Sequence, residues 1–282
     1  MTCDNNLILE LIICTKNGGA RLARCLNAVS NADQDEPFLV HIVDNGSTDG
    51  HSAEIARKFA NSLGDRCRFS VETRPGNSAG RNKALNQLRG TYAIFVDDDC
   101  YIRHDFIRAW AAVFRSASPG YGGGTILPFE QSNSLLGCFV SDQSEIFEGG
   151  AFIKRGSIQG SNMFFSAACL RDIGLFDPNF GAGTAFAGEE WDLALTASKA
   201  GWKGGYFAEP TVYHDHGRGE GEAKSRIGFY DYGAGAVYAK HIKRRDRDAF
   251  KKFLSELRYL PISRKIDLLS GSLAYITKGS HR

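Results

Sequence analysis

Three adjacent aspartates, Asp97-Asp98-Asp99, close the apolar run Ala93-Ile94-Phe95-Val96. Like charges this close raise the cost of ionising one another, so the cluster calls for a positive partner. In an extended segment side chains alternate, which puts Asp97 and Asp99 on one face about 6.5–7 Å apart and turns Asp98 away. A divalent cation with hard-ligand preference, Mn²⁺ or Mg²⁺, suits such carboxylates, with phosphate oxygens completing its shell. Taken alone, the run reads equally well as a solvated acidic turn with one Asp capping the next helix.

Other clusters bear on the choice. Thr15-Lys16-Asn17, Asp44-Asn45-Gly46-Ser47 and Arg74-Pro75-Gly76-Asn77 are each polar and each follow an apolar run. Asn45-Gly46 permits a positive-φ turn, and Ser47, Thr48 or Asp49 can cap the helix beyond it. Asp44 is left over, with a carboxylate that can accept from a base N–H or a ribose hydroxyl. Arg74 and Arg81 sit near a helix N-terminus, where guanidinium groups and free N–H groups together favour a phosphate. No GxxxxGK[ST] is present, so this is not a P-loop.

The elements that must hold these residues alternate regularly. Strands are predicted at 7–15, 38–44, 68–73 and 91–97, and helices at 19–31, 52–63, 78–89 and 104–116. Leu22, Cys25, Leu26 and Val29 recur at i, i+3, i+4, i+7, as do Ala56, Phe59, Ala60 and Leu63. Such alternation predicts a parallel sheet covered on both faces, with ligands bound outside the C-terminal strand ends. All four polar clusters fall at those ends, and so describe one site. The second half is less regular: a strand at 121–129, loop over 130–160, strand into short helix at 161–170, a helix from near Glu189, short strands within 202–217, and basic helix from about 225.

Composition bounds the rest. The chain has 282 residues, 43% hydrophobic and 23% charged, with a net charge of +2, and that near-balance gives no case for a nucleic-acid partner. Its seven cysteines (Cys3, Cys14, Cys25, Cys67, Cys100, Cys138, Cys169) include no CxxC pair, which fits reduced thiols in a cytosol. The polar start and the lack of a membrane-length apolar run lead us to expect a cytoplasmic protein, with the inner face of the membrane as an alternative. The stretch 239–260 is basic and amphipathic. It either packs on the domain or makes a peripheral contact with an anionic membrane.

"LIICTKNGG", "VDNGSTDG", "NSAGRNKAL", "FVDDD", "GLFDPNF", "GEEWDLAL", "AGWK" and "PTVYHDH" occur in this order over roughly residues 7–216. Together they resemble the inverting family-2 glycosyltransferases of the GT-A fold. The resemblance implies an α/β architecture: a Rossmann-like, mostly parallel sheet with helices on both faces and a small mixed acceptor-side subregion. It implies a catalytic domain over 1–224, with a nucleotide-sugar half to about 120 and an acceptor half beyond, and a basic helical extension over 225–282. Thr15, Asn17, Asp44, Asn45, Arg74, Asn77, Arg81, Asp97, Asp98 and Asp99 match the nucleotide-sugar positions. Asp99 is the implied metal ligand, joined by His214 or, in its place, His216. Gly160, Ser161, Asn162 and Trp191 match the sugar and acceptor pocket.

The family usually carries Glu-Asp where this chain has Glu189-Glu190. Glu190 then stands for the catalytic base, Glu189 is its alternate, and Asp192 reads as a first-turn residue facing the helix dipole. The implied activity is metal-dependent, inverting transfer from a nucleotide-diphosphate sugar, UDP first, to a hydroxyl of a glycan or lipid-linked saccharide. Two other readings stand beside it. One is a non-catalytic nucleotide-sugar-binding module, to which the Glu-for-Asp change points. The other is a sugar nucleotidyltransferase, for which "TKNGGARLAR" is a weak glycine-rich loop.

Overall fold

The computed structural model describes residues 7–33, 35–130 and 134–278; Cys3 lies outside them. The first half runs β1 (Leu9–Thr15), α1 (Gly19–Ser30), β2 (Phe38–Asp44), α2 (Ser52–Leu63), β3 (Cys67–Val71), α3 (Asn77–Leu85) and β4 (Tyr92–Asp97). Strands β3, β2, β1 and β4 lie side by side and parallel. Helices cover both faces, so β1 and β2 are buried along almost their whole length and read as apolar runs rather than alternating ones. Helix α1 turns Leu22, Cys25, Leu26 and Val29 inward, as their spacing requires. Helix α3 stops four residues before the expected 89. The amides just past its end reach back only three residues, Gln87 to Ala84 and Leu88 to Leu85, tightening the turn before the chain enters β4.

The second half contains β5 (Cys100–Ile102), α4 (Phe106–Ala117), β6 (Tyr121–Pro128), β7 (Glu145–Phe147), β8 (Met163–Ser166), α5 (Ala167–Ile173), α6 (Glu189–Lys199) and β9 (Gly204–His214). These strands extend the sheet in the order β4-β8-β6-β9-β5, with β8 antiparallel to both neighbours and β6 parallel to β9. The sheet is therefore parallel in its first half and mixed in its second. The short strands expected over 202–217 are one eleven-residue strand. Its register shifts opposite Gly124 and Thr125, where Pro210, lacking an N–H, is accommodated off the ladder. Strands β5 and β7 were not anticipated; three residues each is too short for periodicity to mark. Phe164 and Phe165 point into the cores on opposite sides of the sheet, and both are fully buried.

Four helices close the chain: α7 (Glu220–Ser225), α8 (Ile227–Lys243), α9 (Arg247–Tyr259) and α10 (Ile262–Lys278). The basic stretch 239–260 is not one helix. Arg245 takes a positive φ of 65° after α8, and Asp246 then caps α9 by accepting from the Asp248 and Ala249 amides. Helix α8 is buried through its middle against α6. There Asp192 accepts from Lys240 at 2.6 Å and pairs with His241 at 3.0 Å, while Lys240 also reaches Asp177 at 2.8 Å. Asp192 thus ties two helices together in the interior. Helix α10 packs directly on α8 at two glycines: a Cβ on Gly235 would lie 1.9 Å from the Leu268 carbonyl, and one on Gly271 would lie 1.8 Å from that of Tyr232. Among the described residues no helix is long and apolar enough to cross a membrane.

Candidate active site

The parallel half of the sheet ends in a cavity of about 740 Å³. Its walls come from the ends of β1 and β4, the N-termini of α3 and α6, the end of β9, and the loops at 135–138 and 155–161. A parallel sheet opens its crevice at this edge because crossover helices leave the C-terminal strand ends uncovered.

The three aspartates face three different partners. Asp98 accepts from the Thr15 hydroxyl at 2.5 Å. Burial, helped by the charges of Asp99 and Asp97, pushes its carboxyl up to about 6 against that hydrogen bond. Asp97 receives Arg81 Nη2 at 3.3 Å, yet burial outweighs the guanidinium and raises it as well. Asp99 lies 3.4 Å from His214 Nε2. Burial would raise Asp99, but the His214 hydrogen bond and charge win and hold it below the usual range. Conversely, Asp99 overcomes burial at His214 and raises its imidazole.

Asp97, Asp99, Cys100 and His214 each place one ligand atom within 4.8 Å of all the others. His214 Nδ1 lies 3.1 Å from the Gly137 carbonyl. With the proton on Nδ1, that bond leaves the Nε2 lone pair facing Asp99, the arrangement a metal-binding histidine needs. Cys100 is fully buried, and burial first, then the neighbouring carboxylates, push its thiol well above the usual range. It remains a neutral thiol and a poor ligand for a hard cation. Two carboxylates and an imidazole fit Mn²⁺ or Mg²⁺. His216 is placed differently: Nε2 meets the Ser134 carbonyl and Nδ1 accepts from the Arg218 amide, so both nitrogens are engaged by backbone.

Arg81 connects this corner to the opposite wall. It is 3% exposed and donates to Glu189 at 2.7 Å, to Asp97 at 3.3 Å and to the Gly160 carbonyl at 3.4 Å. A Cβ at 160 would lie 2.5 Å from Arg81 Nη2, so a side chain there would displace the guanidinium. Of the two glutamates at the start of α6, Glu189 is the one bound to Arg81. Glu190 lines the cavity, and burial first, then the charge of Glu189, push its carboxyl well above the usual range. Trp191 also lines the wall, with its indole N–H fixed on the Ile153 carbonyl at 2.8 Å.

The remaining expected residues divide. Thr15, Asn77, Gly160 and Ser161 line the cavity, as does Asn45, whose amide donates to the carbonyls of Glu72 and Arg74. Asn17, Asp44, Arg74 and Asn162 are not on the cavity wall. Asn17 accepts from the Thr48 and Asp49 amides and joins the ends of β1 and β2. Asp44 accepts from the Ser47 amide at 3.0 Å and shapes the turn. Arg74 folds back onto Glu72 at 2.7 Å. Asn162 is fully buried and donates to the Thr125 and Pro210 carbonyls across the second half of the sheet.

Sequence reasoning missed Arg155, Arg218 and the Arg226–Tyr230 edge, which complete the walls with Lys16 of the first strand-end cluster. Arg218 follows "HDH" directly and was within reach of the motif. Phe229 and Tyr230, exposed beside Arg226 at the start of α8, carried no spacing that separates a cavity rim from a helix face.

Comparisons with known proteins follow the same line. A family profile described as Glycosyl transferase family 2 matches residues 10–133. Glycosyltransferase AglE of Haloferax volcanii is 26% identical over 176 residues, 61% of this chain and 56% of that protein. A PGL/p-HBAD biosynthesis glycosyltransferase of Mycobacterium bovis is 33% identical over 146 residues, 51% of this chain and 52% of that one. The chain thus spans about half the length of these two relatives, and 18% of another, glycosyltransferase GlyA of Streptococcus pneumoniae. Among solved structures, mannosyltransferase PcManGT of Pyrobaculum calidifontis, in complex with GDP-Man and Mn²⁺, superposes with TM-score 0.64 at 18% identity, covering 99% of this chain and 77% of that one. S. aureus TarS 1–349 in complex with UDP-GlcNAc gives TM-score 0.65 at 16% identity, covering 96% and 81%.

Proposed function

We propose that this chain, whose residues 10–133 match the Glycosyl transferase family 2 profile and whose fold is GT-A, carries out an inverting transfer of a sugar from a nucleotide-diphosphate sugar to an acceptor hydroxyl. A UDP-sugar is the first donor to try, and a glycan or lipid-linked saccharide the acceptor. The observation that carries the proposal is the joining, through buried Arg81, of the Asp97–Asp99–His214 corner to the α6 N-terminus bearing Glu190, across one cavity. A site for a metal–diphosphate and a site for a base then face the same space.

In this reading Asp99 and His214, with Asp97 beside them, would hold Mn²⁺ or Mg²⁺, whose charge would offset the charge growing on the leaving diphosphate. Arg81 fixes Asp97 and Glu189 in place. Glu190 accepts the proton of the acceptor hydroxyl as that oxygen bonds to the anomeric carbon from the face opposite the diphosphate. The carbon–oxygen bond to the diphosphate breaks with its electron pair on the leaving group, so one displacement inverts the centre and no covalent enzyme intermediate forms. Burial and the charge of Glu189 hold the Glu190 carboxyl well above the usual range, which makes its ionised form a stronger base. Glu190, at the sequence position where the resemblance expects aspartate, lines the cavity, which supports transfer over a non-catalytic binding module. The division into a catalytic part, 1–224, and an extension, 225–282, and a cytoplasmic location belong to the same proposal.

The test is nucleoside diphosphate release from UDP-, GDP- and dTDP-sugars in the presence of glycan and lipid-linked acceptors, with wild type and Glu190→Gln. The variant should retain donor binding and lose turnover. Turnover at the wild-type rate would move the base elsewhere.

A further inference from the structure

Helix α10 keeps Leu268, Gly271 and Tyr275 for its contacts with the body of the protein and turns a long apolar stripe outward. Ile262, Ile266, Leu269, Leu273 and Ile276 are 76%, 57%, 48%, 63% and 53% exposed. Their 4-3-4-3 spacing lines them up on one face for the length of the helix. The outward positions between them are Ser263, Ser270 and Thr277, so this face carries no charge. Isolated exposed leucines need no explanation, but a continuous stripe of five marks an interaction surface.

The charge around the stripe selects the partner. Residues 239–278 hold eleven Lys and Arg against four Asp and Glu; Lys240 is buried on Asp177 and Asp192 and Arg264 is bound to Asp231, and the other nine cations still outnumber the acids by five in a chain whose total is +2. The acidic groups of α9 and α10 are turned to partners: Asp248 to Lys199 at 2.8 Å, Glu256 to the Tyr238 hydroxyl at 2.9 Å, and Asp267 toward Gly228. Beside the first turn of the stripe, Lys265 reaches the backbone carbonyl of Arg258, and the Arg258 guanidinium lies 5.5 Å from the ring of Tyr259, which is 75% exposed. A second copy of the chain would set this positive layer against itself. An anionic lipid surface offers hydrocarbon to the stripe and negative headgroups to the cations. We propose that the α10 stripe lies in the interface of an anionic bilayer, with Arg258 and Lys265 at the headgroup level.

The placement bears on the cavity. Arg264, in the first turn of α10, binds Asp231 at 2.6 Å, and Asp231 follows Phe229 and Tyr230 on the cavity rim. The Ile262 end of the stripe is therefore beside that rim. Where the transfer reading holds, an acceptor anchored in the bilayer is presented next to the cavity mouth. The membrane contact itself does not depend on that reading.

The test is sedimentation of the full chain with vesicles of equal parts phosphatidylglycerol and phosphatidylcholine, against vesicles of phosphatidylcholine alone, with no donor or acceptor present. Binding to the anionic vesicles that weakens with added salt is expected. Leu269→Asp with Leu273→Asp should abolish it while circular dichroism and thermal unfolding stay near wild type. Arg258→Gln with Lys265→Gln should lower the partition about 30-fold at low salt, from ~1 kcal/mol per cation. Failure to bind anionic vesicles, or binding unaffected by both pairs, overturns the proposal. Light scattering that shows a dimer split by Leu269→Asp with Leu273→Asp, in a protein that ignores vesicles, assigns the stripe to a second copy instead. Because no sugar donor enters the assay, none of these outcomes bears on the transfer reading.

Discussion

Replacing Arg81 with methionine is the most informative single perturbation of the interior. Methionine fills much of the same volume and makes none of the hydrogen bonds. The guanidinium is 3% exposed and binds Glu189 at 2.7 Å and Asp97 at 3.3 Å. Removing one partner of a buried ion pair costs about 3–5 kcal/mol, because the other charge stays buried and uncompensated. The Asp97 side chain is 33% exposed, so water relieves part of its share, whereas that of Glu189 is 10% exposed. We therefore expect about 3 kcal/mol, carried mainly by Glu189, or a fall in Tm of roughly 6 °C for a chain of this length. The assay is a double-mutant cycle by thermal and urea unfolding with Arg81→Met, Glu189→Gln and the double variant. A neutral amide opposite methionine removes the stranded charge, so the double variant should recover at least ~1 kcal/mol of the single variant's loss. Additive losses, or an Arg81→Met variant within about 0.5 kcal/mol of wild type, would refute the view that this arginine holds the two walls together by charge.

Further expectations concern pH and packing. Burial raises Asp98 to about 6, above the carboxylate value of an unfolded chain, so its contribution is fully present below about pH 4 and is lost as pH rises through 6. Metal-free protein in chelator should lose stability, by about 1–3 kcal/mol, between pH 4 and 7, and Asp98→Asn should flatten that slope in thermal melts. An unchanged slope would mean that Asp98 does not titrate there. Glu190 must be ionised to act as a base, and burial with Glu189 raises it, so turnover should rise with pH along a limb displaced above the ordinary glutamate range; a rate flat from pH 5 to 8 would contradict this. Gly271→Ala drives a methyl into the Tyr232 carbonyl and should cost about 1–3 kcal/mol by thermal unfolding as α10 is pushed off α8.

Much of this was legible before the structure. Alternating runs at the expected spacing mark β1 to β4 and their helices, because each helix buries one stripe and each strand is covered on both faces. The meeting of the strand-end clusters at one cavity follows from parallel topology alone. Which members face it does not, since Asn17, Asp44 and Arg74 have the same chemistry as their neighbours but turn to local backbone or to Glu72. Arg81 and Glu189 are 108 residues apart, and nothing local records that they touch. Three-residue strands and the break at Arg245 are set by tertiary packing, which periodicity does not carry.

The central claim is that Asp99 and His214 make the cavity a metal–diphosphate site. Titration calorimetry with UDP, GDP and dTDP, each with and without Mn²⁺, on wild type and Asp99→Asn addresses it directly. Binding of one nucleoside diphosphate should strengthen at least tenfold with Mn²⁺ in wild type, and that gain should vanish in the variant. A nucleotide that binds equally tightly with and without Mn²⁺, or a gain that survives Asp99→Asn intact, would contradict the account.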